Sequence, residues 1–143
     1  CHIERFLQNV NSNAYNTTDM GAYTHLNPFN INFQVANMTS PANYFHILRR
    51  QMHRNFRKPL VIAAPKIGLK HPMAVSGIEE MADGTSFKPI ITTEFGQGET
   101  EQVVLCSGKV YFDIHAKLAE GNKSVKVIRV EELAPFPSQL IEQ

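Results

Sequence analysis

The sequence has little that would mark an extracellular, membrane-spanning or nucleic-acid-binding protein. Its 143 residues include only two cysteines, Cys1 and Cys106, and neither has metal-ligand spacing. We therefore expect no disulfide framework, which favours a reducing compartment. No run of about 18 apolar residues occurs, so we expect no membrane span. The formal charge of +1 is not that of a basic nucleic-acid-binding chain or of a chain with an acidic tail.

The composition indicates one ordinary globular domain. A hydrophobic content of 43% in 143 residues is enough for a real core and argues against disorder. The chain starts at Cys1, directly in the helix-like stretch IERFLQNV, and stops at Gln143 in the helix-like stretch PSQLIEQ. We therefore expect a segment of a longer polypeptide, which would hold only part of an active site.

Apolar spacing predicts the elements of the first half. Residues 3–10 carry apolar side chains at i, i+3, i+4 and i+7, which predicts an amphipathic helix. Residues 11–30 are polar and predict a long loop. Residues 31–37 alternate apolar and polar and predict a strand, and the apolar run over 59–64 predicts another, covered on both faces.

A second helix is predicted from Ser40 to about residue 54. Ser40 is a suitable N-cap and Pro41 suits the first turn. Several arginines and a histidine fall towards its C-terminal end, where cations complement the helix dipole. The side chains expected in its buried stripe are Tyr44, Ile47, Leu48 and Met52.

The second half contains a β-α-β unit. An apolar strand over 103–106 precedes a helix over about 109–120, and a strand over 125–130 follows. Gly121 is expected to end the helix in the left-handed conformation, and the Glu131–Glu132 pair to start another helix. Such crossovers build parallel sheets. The predicted fold is a three-layer α/β domain with a mostly parallel sheet.

Basic side chains are concentrated in the stretch YFHILRRQMHRNFRKPLVIAAPK, residues 44–66. One interpretation is a solvated helix face and loop, as is usual for charge runs. The other is an anion site at the carboxyl edge of the sheet. Lys66, Lys70 and His71 follow the strand 60–64 directly, and Ser107 and Lys109 follow the strand 103–106.

If those two strands are close, their turns and a helix N-terminus would face one crevice that suits a phosphate. CSGK lacks the first glycine and the spacing of a P-loop. No nucleophile–base pair or metal cluster is visible, so the residues predict binding rather than a complete catalytic set. An RNA-binding surface on the basic helix is a weaker alternative, because Tyr44 and Phe45 are expected to face the core.

Several blocks occur in a specific order: IERFLQ, SPANYFHILRRQ, FRKPLVI, LKHPMAVS, CSGKVYFD and IRVEELAPFP. Over residues 1–8 and 36–143 the sequence resembles the C-terminal part of the decarboxylating first component of the 2-oxoglutarate dehydrogenase family, including its 2-oxoadipate-type paralogue. The resemblance implies the end of a pyrimidine-binding domain and a linker over 1–35. It implies an incomplete transketolase-like C-terminal domain over 36–143.

The resemblance also implies an activity for the whole enzyme. Members are homodimers that use thiamine diphosphate and Mg²⁺ to decarboxylate 2-oxoglutarate or 2-oxoadipate. They acylate the lipoyl group of an acyltransferase component, which works with dihydrolipoyl dehydrogenase. The cofactor motif lies upstream in relatives, so this segment is expected to be inactive alone. The Asn-rich linker hints at a eukaryotic source and so at the mitochondrial matrix, with the cytoplasm as the bacterial equivalent.

In relatives, this domain contributes dimer contacts and a pocket for acetyl-CoA or AMP. Both effectors are anionic, and arginine suits bidentate anion contacts whereas lysine acts as a point charge. The residues assigned to an effector or anion site here are Arg49, Arg50, Lys66, Lys70, His71, Ser107 and Lys109.

Two positions depart from the family pattern. His2 stands where relatives commonly carry arginine, and Gly68 stands where they usually carry leucine. RRQMHRNFRKPL is nearer to the 2-oxoadipate type and LKHPMAVS to the 2-oxoglutarate type, so the substrate stays open. The alternative function is a stand-alone, non-catalytic binding or assembly module derived from the family.

Overall fold

The computed structural model of the chain describes residues 2–11, 31–121 and 123–142. Most of the loop predicted over 11–30 therefore lies outside the described residues. The helices are α1 (His2–Asn9), α2 (Pro41–His53), α3 (Val110–Ala119) and α4 (Ser138–Ile141), with 3₁₀ turns at Lys66–Leu69 and Ile78–Met81. The strands are β1 (Gln34–Ala36), β2 (Leu60–Ile62), β3 (Ile90–Phe95), β4 (Gln102–Cys106), β5 (Val125–Val130) and β6 (Glu132–Ala134).

The described strands form two mixed sheets of three. One has the order β2-β1-β6, in which β1 runs parallel to β2 and antiparallel to β6. The other has the order β3-β5-β4, in which β5 runs antiparallel to β3 and parallel to β4. The α/β class is confirmed, but the prediction of one mostly parallel sheet was wrong. Only the crossover connection was visible in the sequence, and it says nothing about the direction of β3 or β6.

The predicted β-α-β unit is present. β4, α3 and β5 follow one another, and Val104 pairs with Val127 in the parallel register. The buried side chains of Tyr111, Phe112, Val125 and Val127 form the core between α3 and the sheet. The left-handed cap at Gly121 was wrong, because the helix ends at Glu120 in the right-handed region, and Gly121 does not have a positive φ.

Helix α2 begins as predicted but buries a different face. The Ser40 hydroxyl accepts a hydrogen bond from the Asn43 backbone N–H at 3.3 Å, and Pro41 is the first helical residue. Ile47 is fully buried, whereas three members of the predicted stripe are exposed by 41–81%: Tyr44, Leu48 and Met52. The inward face carries Asn43 and His46 instead, which bond to the Lys88 and Glu80 carbonyls. Polar partners from distant segments therefore decide the rotation of α2.

Glu131 and Glu132 do not begin a helix, contrary to prediction. Glu132 starts β6, and both side chains are buried. Each carboxylate has a partner on a distant element, so its desolvation is offset by hydrogen bonds rather than by a helix N-terminus. Among the described residues, no helix is long and apolar enough to cross a bilayer.

Candidate functional site: the edge formed by the turns after β1, β2 and β4

Three turns leave the two sheets at a common edge. The parallel strands β1 and β2 end together, and the Ala63 N–H donates to the Ala36 carbonyl at 2.8 Å. The turn after β4 lies against the turn after β1, since a Cβ placed on Gly108 would come within 2.3 Å of the Asn37 amide. The turns after Ala64 and after Cys106 therefore lie at the same edge, which we call the switch edge.

A cavity of about 330 Å³ opens at the switch edge. Its walls come from the start of α2, the turn after β2 and the side chain of Phe112 on α3. Lys66 lines it and supplies a positive charge. The aromatic and proline side chains around that lysine make the rest of the lining largely apolar. The full set is Met38, Thr39, Ser40, Pro41, Tyr44, Ala64, Pro65, Lys66, Gly68, Leu69, Ala74 and Phe112.

His71 packs against α3, the helix that carries Phe112. Its ring stacks on Phe112 with centroids 4.1 Å apart and an interplanar angle of 28°. Its Nδ1 accepts a hydrogen bond from the Met73 N–H at 3.2 Å. Because Nδ1 is an acceptor, the neutral ring carries its proton on Nε2 and can donate there to a ligand.

The remaining predicted residues of this edge differ in exposure. Lys70 and Lys109 are exposed, and Lys109 stands at the N-terminus of α3. The Ser107 hydroxyl is buried and, like the Asn37 side-chain oxygen, finds no hydrogen-bond partner in the described part of the chain. The lysines, the positive end of the α3 dipole and the Ser107 hydroxyl suit an anionic ligand, whereas the Asn37 side-chain oxygen can only accept a hydrogen bond.

Arg49 and Arg50 lie away from the switch edge. Arg50 is about 14 Å along α2 from Pro41, at roughly 1.5 Å per residue. Arg49 donates to the Thr85 carbonyl. Arg50 donates to both carboxylate oxygens of Glu132, at 2.5 and 3.3 Å, and its guanidinium lies 4.2 Å from the Phe87 ring centroid. The structure therefore places Lys66 in the cavity at the switch edge and His71 against Phe112, which also lines that cavity, and it leaves these two arginines in a separate group.

A buried network around Glu131 supports the edge, and the sequence did not reveal it. Glu131 is fully buried and accepts from the Thr39 N–H at 2.9 Å, from the Thr39 hydroxyl and from the Asn43 amide at 3.1 Å. Burial raises the pKa of Glu131, and the bonds from Thr39 and Asn43 oppose that rise. The network ties the turn after β1 to the junction of β5 and β6. The only available signal was a carboxylate directly after an apolar strand.

Cys106 is a free thiol at the end of β4. It is partly buried and packs against the core beneath α3. Burial raises its pKa, so less of it is the reactive thiolate at a given pH. Within residues 2–11, 31–121 and 123–142, no three His, Cys, Asp or Glu side chains come together as metal ligands.

Comparison with known proteins identifies the family. Residues 75–143 match the family model described as 2-oxoglutarate dehydrogenase C-terminal. The whole chain aligns with the probable 2-oxoadipate dehydrogenase complex component E1 homolog of Dictyostelium discoideum, at 44% identity over 147 residues. It aligns equally completely with the human 2-oxoadipate dehydrogenase complex component E1, at 42% identity.

The chain belongs to the 2-oxoglutarate dehydrogenase family. The resemblance based on its blocks of sequence is thus confirmed. The 2-oxoglutarate dehydrogenase E1 component of Brucella anthropi is 44% identical over 122 residues, which cover 77% of this chain and 12% of that protein. The chain spans 16% of the Dictyostelium protein and 15% of the human one.

Proposed function

We propose that this member of the 2-oxoglutarate dehydrogenase family acts as part of an E1 component that decarboxylates 2-oxoglutarate or 2-oxoadipate. Thiamine diphosphate with Mg²⁺ would supply the decarboxylation chemistry, held by parts of a longer chain. The E1 would acylate the lipoyl group of an acyltransferase component and work with dihydrolipoyl dehydrogenase in the mitochondrial matrix, or in the cytoplasm if the source is bacterial. The alignment of this whole chain with part of the 2-oxoadipate E1 proteins supports this proposal.

Within that enzyme, the chain would supply homodimer contacts and bind an anionic effector, acetyl-CoA or AMP, at the switch edge. The observation that carries this role is the convergence of the turns after β1, β2 and β4 beside Lys66 and His71. Lysine ammonium groups at positions 66, 70 and 109 would meet phosphate oxygens. His71 Nε2 and the Ser107 hydroxyl would donate hydrogen bonds. The α3 N-terminus would add partial positive charge.

Arg49 and Arg50 have a different place in the proposal. Their guanidinium groups already bond to Thr85 and Glu132, so either arginine would contact an anion only through its remaining donors. They would form a second cationic face, on the C-terminal half of α2, rather than part of the switch edge.

Binding of AMP and of acetyl-CoA to the full-length protein tests the effector site. Isothermal titration would compare the wild type with Lys66→Ala and Lys109→Ala. Each lost charge-assisted hydrogen bond is expected to weaken binding by about tenfold. Lys123→Ala is the matched control, because Lys123 is an exposed lysine that lines neither cavity. Unchanged affinity in both edge variants would remove the effector assignment.

The alternative is a stand-alone binding or assembly module that keeps the dimer surface or the effector pocket. The intact mass of the native protein distinguishes the two. A mass near 16.1 kDa, the mass of this chain, would favour the module. A mass several times larger would favour the E1 component, and detectable 2-oxo acid decarboxylation would then follow addition of thiamine diphosphate and Mg²⁺.

A further inference from the structure

A second and larger cavity lies beside the switch edge. Its volume is about 630 Å³, and it is lined by residues of α2, the 3₁₀ turn Ile78–Met81, β3, α3 and β5. The two cavities have only Ser40 in common among their lining residues. Pockets of about 300–1,000 Å³ hold small-molecule ligands. The larger cavity has no role in the effector proposal.

Arg129 on β5 is the charged group of this cavity with the most unused hydrogen-bonding capacity. Its guanidinium lies 4.1 Å from the centroid of the Tyr111 ring, which also lines the cavity. Its Nη1 donates to the Thr39 hydroxyl at 3.0 Å, the one hydrogen bond this side chain makes in the described part of the chain. An arginine carries five N–H donors. The Tyr111 contact and the Thr39 bond therefore hold a guanidinium whose other donors, among them the buried Nε–H, have no partner in the described part of the chain.

No carboxylate of the described residues bonds directly to the Arg129 guanidinium. Glu131 is linked to it through the Thr39 hydroxyl, which donates to Glu131 and accepts from Arg129 Nη1. Burial raises the pKa of Glu131, and the charge of Arg129 is among the effects that lower it. Arg50, by contrast, is paired with Glu132 at 2.5 Å. A guanidinium that lines a cavity and has no directly bonded carboxylate suits a carboxylate ligand, because its planar fork matches two carboxylate oxygens.

The other lining residues define what else the ligand carries. Met73, Ile91 and the Tyr111 ring provide apolar walls. Glu79 and Glu80 also line the cavity, and their negative charges disfavour a ligand with several negative charges such as a phosphate ester. Lys88 lines it too, and its side chain is exposed. The arrangement therefore suits one carboxylate attached to an apolar body.

We propose that this cavity binds a small organic acid, with its carboxylate on Arg129 and its apolar part against Met73, Ile91 and Tyr111. The site is separate from the effector site at the switch edge and does not depend on it. Binding needs no metal and no covalent step.

Titration of the full-length protein with phenylacetate and, separately, with inorganic phosphate tests the proposal. Phenylacetate has one carboxylate and an apolar body, so it is expected to bind, whereas phosphate is expected not to bind in this cavity. Arg129→Lys keeps the charge but loses the fork, and should weaken phenylacetate binding about tenfold. Ser86→Trp fills the cavity from an exposed position without touching Arg129, and should abolish binding even if Arg129→Lys folds poorly.

Two controls separate this site from the switch edge. Lys123→Ala should leave phenylacetate affinity unchanged. Ser86→Trp should leave AMP affinity unchanged, so failure of one site can be told from failure of the other. Phenylacetate binding that persists in Ser86→Trp, or no phenylacetate binding by the wild type at millimolar concentration, would overturn the proposal. Stronger binding of phosphate than of phenylacetate, lost in Arg129→Lys, would overturn the assignment of ligand class.

Discussion

The guanidinium of Arg50 and the carboxylate of Glu132 form a two-point ion pair between α2 and β6, with Nη2 2.5 Å from Oε1. Both groups are largely buried, with side-chain exposures of 17% and 4%. A buried ion pair of this kind adds little over a well-packed apolar pair, but losing one member leaves the other charge desolvated and unpaired. The pair therefore makes α2 and β6 dependent on each other.

Arg50→Ala is expected to lower the free energy of unfolding by about 3–5 kcal/mol. The reason is that Glu132 would remain buried without its cation. Denaturant unfolding of the full-length protein, followed by circular dichroism, measures the change. Arg57→Ala is the control, because Arg57 is exposed and should cost no more than about 0.5 kcal/mol.

The double variant Arg50→Ala with Glu132→Gln should recover much of that loss, since no buried charge remains. If the single variant Arg50→Ala is as stable as Arg57→Ala, the ion pair does not hold α2 to β6. Arg50 would then be available to contact a ligand without a loss of stability.

Glu131→Gln is expected to change how stability depends on pH. Burial raises the folded-state pKa of Glu131 above its ordinary value of 4.5, so the folded protein holds this proton more tightly than the unfolded chain does. The wild type therefore loses stability as pH rises from about 4.5 through the raised folded pKa. The glutamine variant, which cannot ionise, lacks this loss.

Denaturant unfolding at several pH values, from about pH 4 to pH 8, checks this prediction. The stability of the variant relative to the wild type should increase across that range. Glu132→Gln serves as the comparison, because Glu132 is buried beside it but paired with Arg50. A difference between Glu131→Gln and wild type that does not vary with pH would contradict the prediction.

Gly108→Ala should destabilise the protein and disturb the switch edge. Gly108 has φ of +64°, where an alanine costs about 1–2 kcal/mol. Its Cβ would also meet the Asn37 side chain at 2.3 Å. Thermal unfolding measures the loss of stability. Titration with AMP measures whether ligand binding at the switch edge is weakened.

Gly84→Ala is the matched control for Gly108→Ala. Gly84 also has a left-handed φ, +82°, but a Cβ there meets nothing within 4 Å. Gly84→Ala should show the backbone cost alone, and so a smaller loss of stability. Equal losses in the two variants would mean that the contact between the turns after β1 and β4 is not tight.

Ser40→Ala should cost about 1 kcal/mol of stability. The variant removes the hydroxyl that accepts from the Asn43 N–H at 3.3 Å. Ser40→Asp should retain the cap and lie close to the wild type. The loss stays small because Ser76 Oγ separately accepts from the Ala42 N–H at 3.1 Å. Chemical denaturation of the wild type, Ser40→Ala and Ser40→Asp measures these differences in the free energy of unfolding. A loss above about 2 kcal/mol in Ser40→Ala would contradict a role limited to capping.

The local order of the fold was predictable because it depends on neighbours in sequence. The start of α2 follows from the Ser40 hydroxyl and the Pro41 ring, and the β4-α3-β5 unit follows from apolar runs separated by a helical repeat. The convergence of the turns after Ala64 and Cys106 was also predicted, but on the assumption that both strands lie in one sheet. β2 and β4 lie in different sheets, and the two edges meet through the close approach of Gly108 to Asn37.

The candidate site was predictable only in part. The sequence predicted Lys66, Lys70, His71, Ser107 and Lys109 near one edge because they lie in the segments that follow two strands, although the 3₁₀ turn Lys66–Leu69 separates Lys70 and His71 from β2. The ion pair that occupies Arg50 could not be foreseen, since Glu132 lies 82 residues away. The cavity around Arg129 could not be foreseen either, because its walls come from elements that are far apart in the sequence.

The sequence by itself determined the α/β class, most helices and strands, and membership of the 2-oxoglutarate dehydrogenase family. Each follows from residues close together in the chain or from the order of matching blocks. Only the tertiary structure decided the directions of β3 and β6, the buried face of α2 and the partners of Glu131 and Glu132. Those outcomes depend on pairing and desolvation between residues far apart in sequence, and local spacing carries no information about them.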